Sequence, residues 1–76
     1  MKAYRNLSGK SGIVAFEIGD DFVSVVFRDD PLPYVYSASQ IPPAKIAQMK
    51  ALALAGRGLA SFISRNADVS DAYTRP

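Results

Sequence analysis

Gly56-Arg57-Gly58-Leu59 interrupts a helical pattern at a defined point. Before it, Pro43–Ala55 is rich in Ala, Leu, Met, Lys and Gln, residues that lose little side-chain freedom in a helix. After it, Leu59, Phe62 and Ile63 recur at i, i+3 and i+4. The two glycines flanking Arg57 predict a corner between two helices that pack on each other. Gly56 suits the position just past a helix end, where left-handed backbone geometry favours glycine. On a helical wheel Ile46, Met49, Leu52, Ala53 and Gly56 share one broad face, with Gln48, Ala51 and Ala55 opposite. Pro42-Pro43 sets the start: the residue before a proline disfavours the α region, so Pro43 is the first helical position. The second helix covers Leu59–Arg65 and stops at Asn66. Residues 67–76 read as a loose tail with Val69 and Tyr73 as docking points.

Upstream the period changes from helical to alternating. Residues 1–12, with Asn6, Ser8, Gly9, Ser11 and Gly12, read as an irregular lead-in. Strands are expected at Ile13–Ile18, 22–28 and 34–37, separated by Gly19-Asp20-Asp21 and Asp29-Asp30-Pro31-Leu32-Pro33. The strand at 22–28, Phe-Val-Ser-Val-Val-Phe-Arg, is the most apolar and belongs in the centre. Pro33 has no N–H for a ladder, so the third strand starts there and lies at an edge. Alternation places Val14, Phe16, Ile18, Val23, Val25, Phe27, Tyr34 and Tyr36 on a core face. It places Ile13, Ala15, Glu17, Phe22, Ser24, Val26, Arg28, Val35 and Ser37 on the other. The fold class is α+β, a three-stranded antiparallel meander followed by a two-helix hairpin (β-β-β-α-α) packed on one sheet face.

The 76 residues make one small domain. With 49% hydrophobic and 21% charged residues the composition is that of a folded globular chain. No cysteine is present to form disulfides, so stability must come from dense packing or association. No stretch approaches a membrane span and the N-terminus lacks a signal-type apolar run, so the expectation is a soluble, cytoplasmic protein with no membrane partner. The net charge of +2 is distributed unevenly. Residues 13–30 carry Glu17, Asp20, Asp21, Asp29 and Asp30 against Arg28, whereas residues 41–67 carry Lys45, Lys50, Arg57 and Arg65 with no acid.

Histidine and cysteine are both absent, which removes the commonest general base, the commonest metal ligands and the strongest nucleophile. Asp20-Asp21 and Asp29-Asp30 are the remaining acid/base candidates, but both sit in turns, where aspartate bonds nearby backbone amides. Gly9-Lys10-Ser11 matches only the end of a phosphate-binding loop. The earlier glycine is missing, and a strand follows instead of a helix. Neither catalytic residues, nor a cofactor, nor a metal site, nor a small-molecule substrate is expected. Two surfaces remain. Ile13, Phe22, Val26 and Val35 on the outer sheet face form an apolar patch of the kind that marks a partner site or self-association. Alternatively, the chain covers that patch with Tyr4 and Leu7, or with Val69 and Tyr73. The second surface is the basic helical half, Lys45, Lys50, Arg57 and Arg65, which would suit RNA or DNA. Lys45 and Lys50 lie about 140° apart on the wheel, however, so they do not form one stripe.

In their order, Ser11-Gly12-Ile13, Val23-Ser24-Val25-Val26-Phe27, Tyr34-Val35-Tyr36 and Gly56-Arg57-Gly58-Leu59-Ala60-Ser61-Phe62-Ile63 resemble the KTSC domain. That family occurs at the C-terminus of some lysyl-tRNA synthetases and as small stand-alone bacterial and phage proteins. The resemblance runs from about Ser8 to Arg65. The family's Ser-x-Ile opening falls on Ser11 and Ile13, and its aromatic hairpin pattern on Phe27, Tyr34 and Tyr36, without the turn glycine. Its late Gly-x-x-aromatic-Asn-x-x-Ile pattern falls on Gly56, Leu59, Ala60 and Ile63, with leucine replacing the aromatic residue and alanine the polar one. The resemblance implies a compact strand-and-helix module with no established activity, and its link to a tRNA enzyme favours nucleic acid by analogy. The expectation is therefore a non-enzymatic interaction module that binds a protein partner or itself through the outer sheet face. The alternative is an accessory domain for RNA or DNA.

Overall fold

The computed structural model describes residues 1–7, 9 and 11–74. Ser8, where the family resemblance begins, Lys10 of the Gly-Lys-Ser stretch and residues 75–76 of the tail lie outside the described residues. The chain is α+β. Four antiparallel strands run β1 (Lys2–Ala3), β2 (Ile13–Ile18), β3 (Phe22–Phe27) and β4 (Asp30–Ser37), in sheet order β1-β2-β3-β4. Three helices follow: α1 (Pro43–Ala55), α2 (Leu59–Arg65) and α3 (Ala67–Ser70). The sequence reading therefore falls short by one strand and one helix.

The missed strand is β1, which pairs Lys2 with Phe16 and Ala3 with Ala15. Neither residue is β-branched or aromatic, so nothing local marks them as a strand; the open edge of β2 organises them. Beyond β1, Tyr4 donates its N–H to the Val14 carbonyl at 3.0 Å and buries its ring edge-on to Phe16. The missed helix, α3, is a single turn whose N–H groups at Val69 and Ser70 donate to the Asn66 carbonyl. Asn66 stops α2 as expected, its side-chain amide donating to the Phe62 carbonyl at 2.7 Å. Val69 is fully buried, so the tail is anchored at least that far.

Two irregularities in the sheet reset the expected faces. Ile13 pairs with Phe27 but Ala15 pairs with Val26, leaving Val14 as an extra residue opposite no partner. This bulge turns Ile13 into the core, where it is 1% exposed, and turns Val14 outward to 39% exposed. Strict alternation assigned both residues to the opposite face. In β4, Phe27 pairs with Asp30 and Val25 with Tyr34, so Pro31, Leu32 and Pro33 bow out opposite Val26. The prolines cannot donate to the ladder, and the Asp30 carboxylate closes the bow by accepting the Leu32 N–H and the Tyr34 hydroxyl. The strand therefore begins at Asp30 and not after Pro33.

The helices pack on the face that carries Phe16, Val23, Val25 and Tyr36. Ile41, Ile46, Met49, Ala53, Leu59, Ile63 and Val69 complete a single core with these residues, Tyr4 and Ile13. α1 starts at Pro43 and ends at Gly56, as read from the sequence. Gly56 (φ 79°) and Gly58 (φ 82°) both adopt left-handed backbone, which turns the chain sharply enough for α2 to fold back with Leu59 fully buried.

Candidate functional site

The face of the sheet turned away from the helices is built on β3. Phe22, Ser24 and Val26 form its central row, with Ala15 and Glu17 of β2 on one side and Val35 and Ser37 of β4 on the other. Phe22, Val26 and Val35 are half-buried, and none of them belongs to the core cluster or packs against it. Ser24, in the same row, is only 4% exposed. The Phe22 ring lies across Gly19, where a methyl group would sit 1.9 Å from it. Gly19 is thus required by close approach and not by a left-handed backbone.

Of the four residues expected on this face, Phe22, Val26 and Val35 are together there. Ile13 is not, because the bulge at Val14 carries it into the core. Nor does the chain cover the face with the residues considered for that role. Tyr4 and Val69 are buried in the core, Leu7 is 60% exposed, and Tyr73 stacks on Tyr34 and Tyr36, on the helix side of β4.

Two of the four basic residues are engaged within the chain. Lys45 donates to both oxygens of Asp68 at 2.6 and 2.8 Å, and Lys50 donates to the Asp20 carbonyl at 2.7 Å. The hydrogen bond from Lys45 holds the Asp68 carboxyl below the usual carboxylate range. The pair's contribution is therefore fully present above the ordinary carboxylate value and is lost as pH falls from there through the lowered Asp68 value. Arg57 and Arg65 are exposed, Arg57 on the corner and Arg65 in the last turn of α2. The acidic turns are structural: Asp21 accepts the Ala38 N–H through its backbone carbonyl, and Asp30 closes the bow of β4. Among the described residues no cluster of His, Cys, Asp or Glu could hold a metal ion, and no helix is long and apolar enough to cross a membrane.

Two constellations escaped the sequence reading. The first is the docking of the lead-in on the helix corner. Arg5 donates to the Leu54 carbonyl at 2.7 Å and the Ala55 carbonyl at 3.3 Å, Leu7 donates its N–H to the Gly56 carbonyl, and the Tyr4 hydroxyl accepts the Leu59 N–H. Arg5 thereby caps the C-terminal carbonyls of α1, which has no basic residue in its own last turn. The second is an aromatic group at the outer edge of β4, where Thr74 pairs with Val35. Tyr73 lies 4.6 Å from Tyr34 and 6.3 Å from Tyr36, and Phe27 lies 5.1 Å from Tyr34. Burial, with the neighbouring Tyr34 and Tyr73 hydroxyls, pushes the Tyr36 hydroxyl up to about 12. The sequence signal for this group is the Tyr-Val-Tyr spacing, which sets two rings side by side on one strand face. Compared with family models, curated proteins and solved structures, the chain matches none.

Proposed function

We propose that this chain is a non-enzymatic interaction module, of KTSC type, that docks a protein partner on the outer face of its sheet. The observation that carries the reading is the half-buried apolar patch of Phe22, Val26 and Val35, none of which, among the described residues, packs against the core. A central strand apolar on both sides is ordinarily covered on both sides. Here, among the described residues, the helices cover one side.

The size of the face argues for a partner over a second copy. Four strands about 4.8 Å apart and six residues rising about 3.3 Å each make a face of roughly 19 by 20 Å. As a flat outline this is about 380 Å², small against the roughly 800 Å² per partner of a standard interface. The nucleic-acid reading is weaker, since two of its four cations are held by the chain's own oxygens.

The test is site-specific photo-crosslinking in the full chain, with the reactive group at position 26 and a control at the exposed Leu54 on α1. The expected result is one protein captured at position 26, absent at position 54 and lost on Val35→Lys. Equal capture at both positions would overturn the reading. So would Val26 and Val35 methyl groups as shielded from a soluble paramagnetic probe as those of Val23. Light scattering that shows a stable dimer would replace the partner with a second copy.

A further inference from the structure

One row of the outer face runs Glu17–Ser24–Val35, a residue from each of β2, β3 and β4. Along β3 it is flanked by Phe22 and Val26, which point the same way. Ser24 is only 4% exposed, and among the described residues its hydroxyl makes no hydrogen bond. No sealed-in side-chain oxygen or nitrogen lacks a partner among those residues, so the hydroxyl belongs to the sliver of Ser24 that stays open. A group with one donor and two lone pairs therefore faces outward unmatched, in the middle of an apolar patch.

The charge around this point has one sign. Glu17 is exposed and enters no ion pair among the described residues. As the cross-strand partner of Ser24, it has its Cβ about 5 Å from that of the serine. The β2–β3 turn next to Phe22 adds Asp20 and Asp21, both exposed. Lys50 bonds the Asp20 carbonyl from α1, so three carboxylates stand against one ammonium and leave a charge of −2. The other described cations are placed elsewhere. Lys2 pairs with Phe16 and so belongs to the helix side, Arg5 caps α1, and Lys45 holds Asp68. Arg28 follows the far end of β3, and Arg57 and Arg65 belong to the corner and to α2.

We infer that the outer face receives a cationic side chain, lysine or arginine, from an otherwise apolar surface of a partner protein. The inference rests on the reading of this face as a docking surface and names what that surface selects. The aliphatic stem of the incoming side chain lies on Phe22 and Val26, while its head donates to the Ser24 hydroxyl oxygen and the Glu17 carboxylate. The Phe22 ring and the acidic turn attract the same charge. A wholly apolar surface would leave the Ser24 hydroxyl without a partner, and an anionic one would meet Glu17 with like charge.

The probes are n-butylammonium and n-propylguanidinium, the lysine and arginine side chains without their backbone. Neutral n-pentanol and anionic butyrate are the counterparts, and each is titrated by NMR into the full chain at low salt. The expected result is saturable shifts at the Glu17, Phe22 and Ser24 amides for at least one cation, about threefold tighter than n-pentanol, and none for butyrate. Glu17 is exposed, so Glu17→Gln keeps the fold; it should bring the cation down to the level of n-pentanol and leave n-pentanol unchanged. Added salt should weaken the cation alone. Cations that bind no better than n-pentanol, or that keep their advantage in Glu17→Gln, would overturn the inference. So would cation shifts at Asp20 and Asp21 that leave Ser24 unmoved. The docking surface itself stands or falls by crosslinking at position 26, so the two failures are told apart.

Discussion

Replacing Gly56 with alanine tests the corner that organises the helices and the docking of the lead-in upon it. The new methyl group would sit 2.7 Å from the Arg5 Cβ, 3.2 Å from its Nε and 3.5 Å from its Cα. Two costs follow. Holding a residue with a side chain in left-handed backbone costs about 1–2 kcal/mol. Displacing Arg5 gives up its bonds to the Leu54 and Ala55 carbonyls, at solvent-exposed positions, for about 1 kcal/mol more. The sum, about 2–3 kcal/mol, is a large fraction of the roughly 4–11 kcal/mol expected for a chain of this length. Gly58 provides the control. Its backbone is equally left-handed, but the nearest atom to an added methyl is the Leu52 Cδ2 at 3.3 Å, the mobile end of a side chain. Only the backbone cost applies there. By thermal unfolding followed in the far ultraviolet, Gly56→Ala should lower the midpoint by about 10–20 °C and Gly58→Ala by about 5–10 °C. In an Arg5→Gly background the excess cost of Gly56→Ala should vanish. If the two glycine variants lose stability equally, or the excess survives the loss of the Arg5 side chain, the assignment of Arg5 as the cap of α1 is refuted.

The bulge in β2 makes a paired prediction: in urea unfolding, Ile13→Ala should cost about 2–4 kcal/mol and Val14→Ala no more than about 0.5 kcal/mol. Strict alternation predicts the reverse order. Alkaline titration by tyrosinate absorbance should show one tyrosine that ionises only near 12, and Tyr36→Phe should remove it. Because the Tyr36 hydroxyl stays protonated in the native state above the ordinary tyrosine range, stability should fall between about pH 10 and 12, and that fall should be smaller in Tyr36→Phe.

Local chemistry was enough to place α1 and α2. Pro43 supplies a preset backbone angle at the first helical position, and Gly56 and Gly58 reach a backbone geometry that other residues resist, so their meaning does not depend on distant neighbours. The same holds for β3, apolar enough to demand a central place. Phe22, Val26 and Val35 could be assigned to one outer face because alternation is unbroken along β3 from Phe22 to Val26 and in β4 from Tyr34 to Ser37.

What remained hidden depends on partners far along the chain. Lys2 and Ala3 become a strand only because β2 offers an open edge, and Ala67–Ser70 becomes a helical turn because Val69 finds a core to enter. The bulge at Val14 is a two-strand property: it exists only in the register of β2 against β3, and it alone moves Ile13 from the surface to the core. The position of Arg5 at the end of α1 spans about fifty residues of sequence, and its contact is written in no spacing or period. The sequence by itself therefore determined the helical corner, the central strand and the class of fold, through backbone preferences and hydrophobic period. Only the tertiary structure decided which face the helices cover, which cations are engaged and where residues 67–74 lie, because these follow from which long-range pairings close.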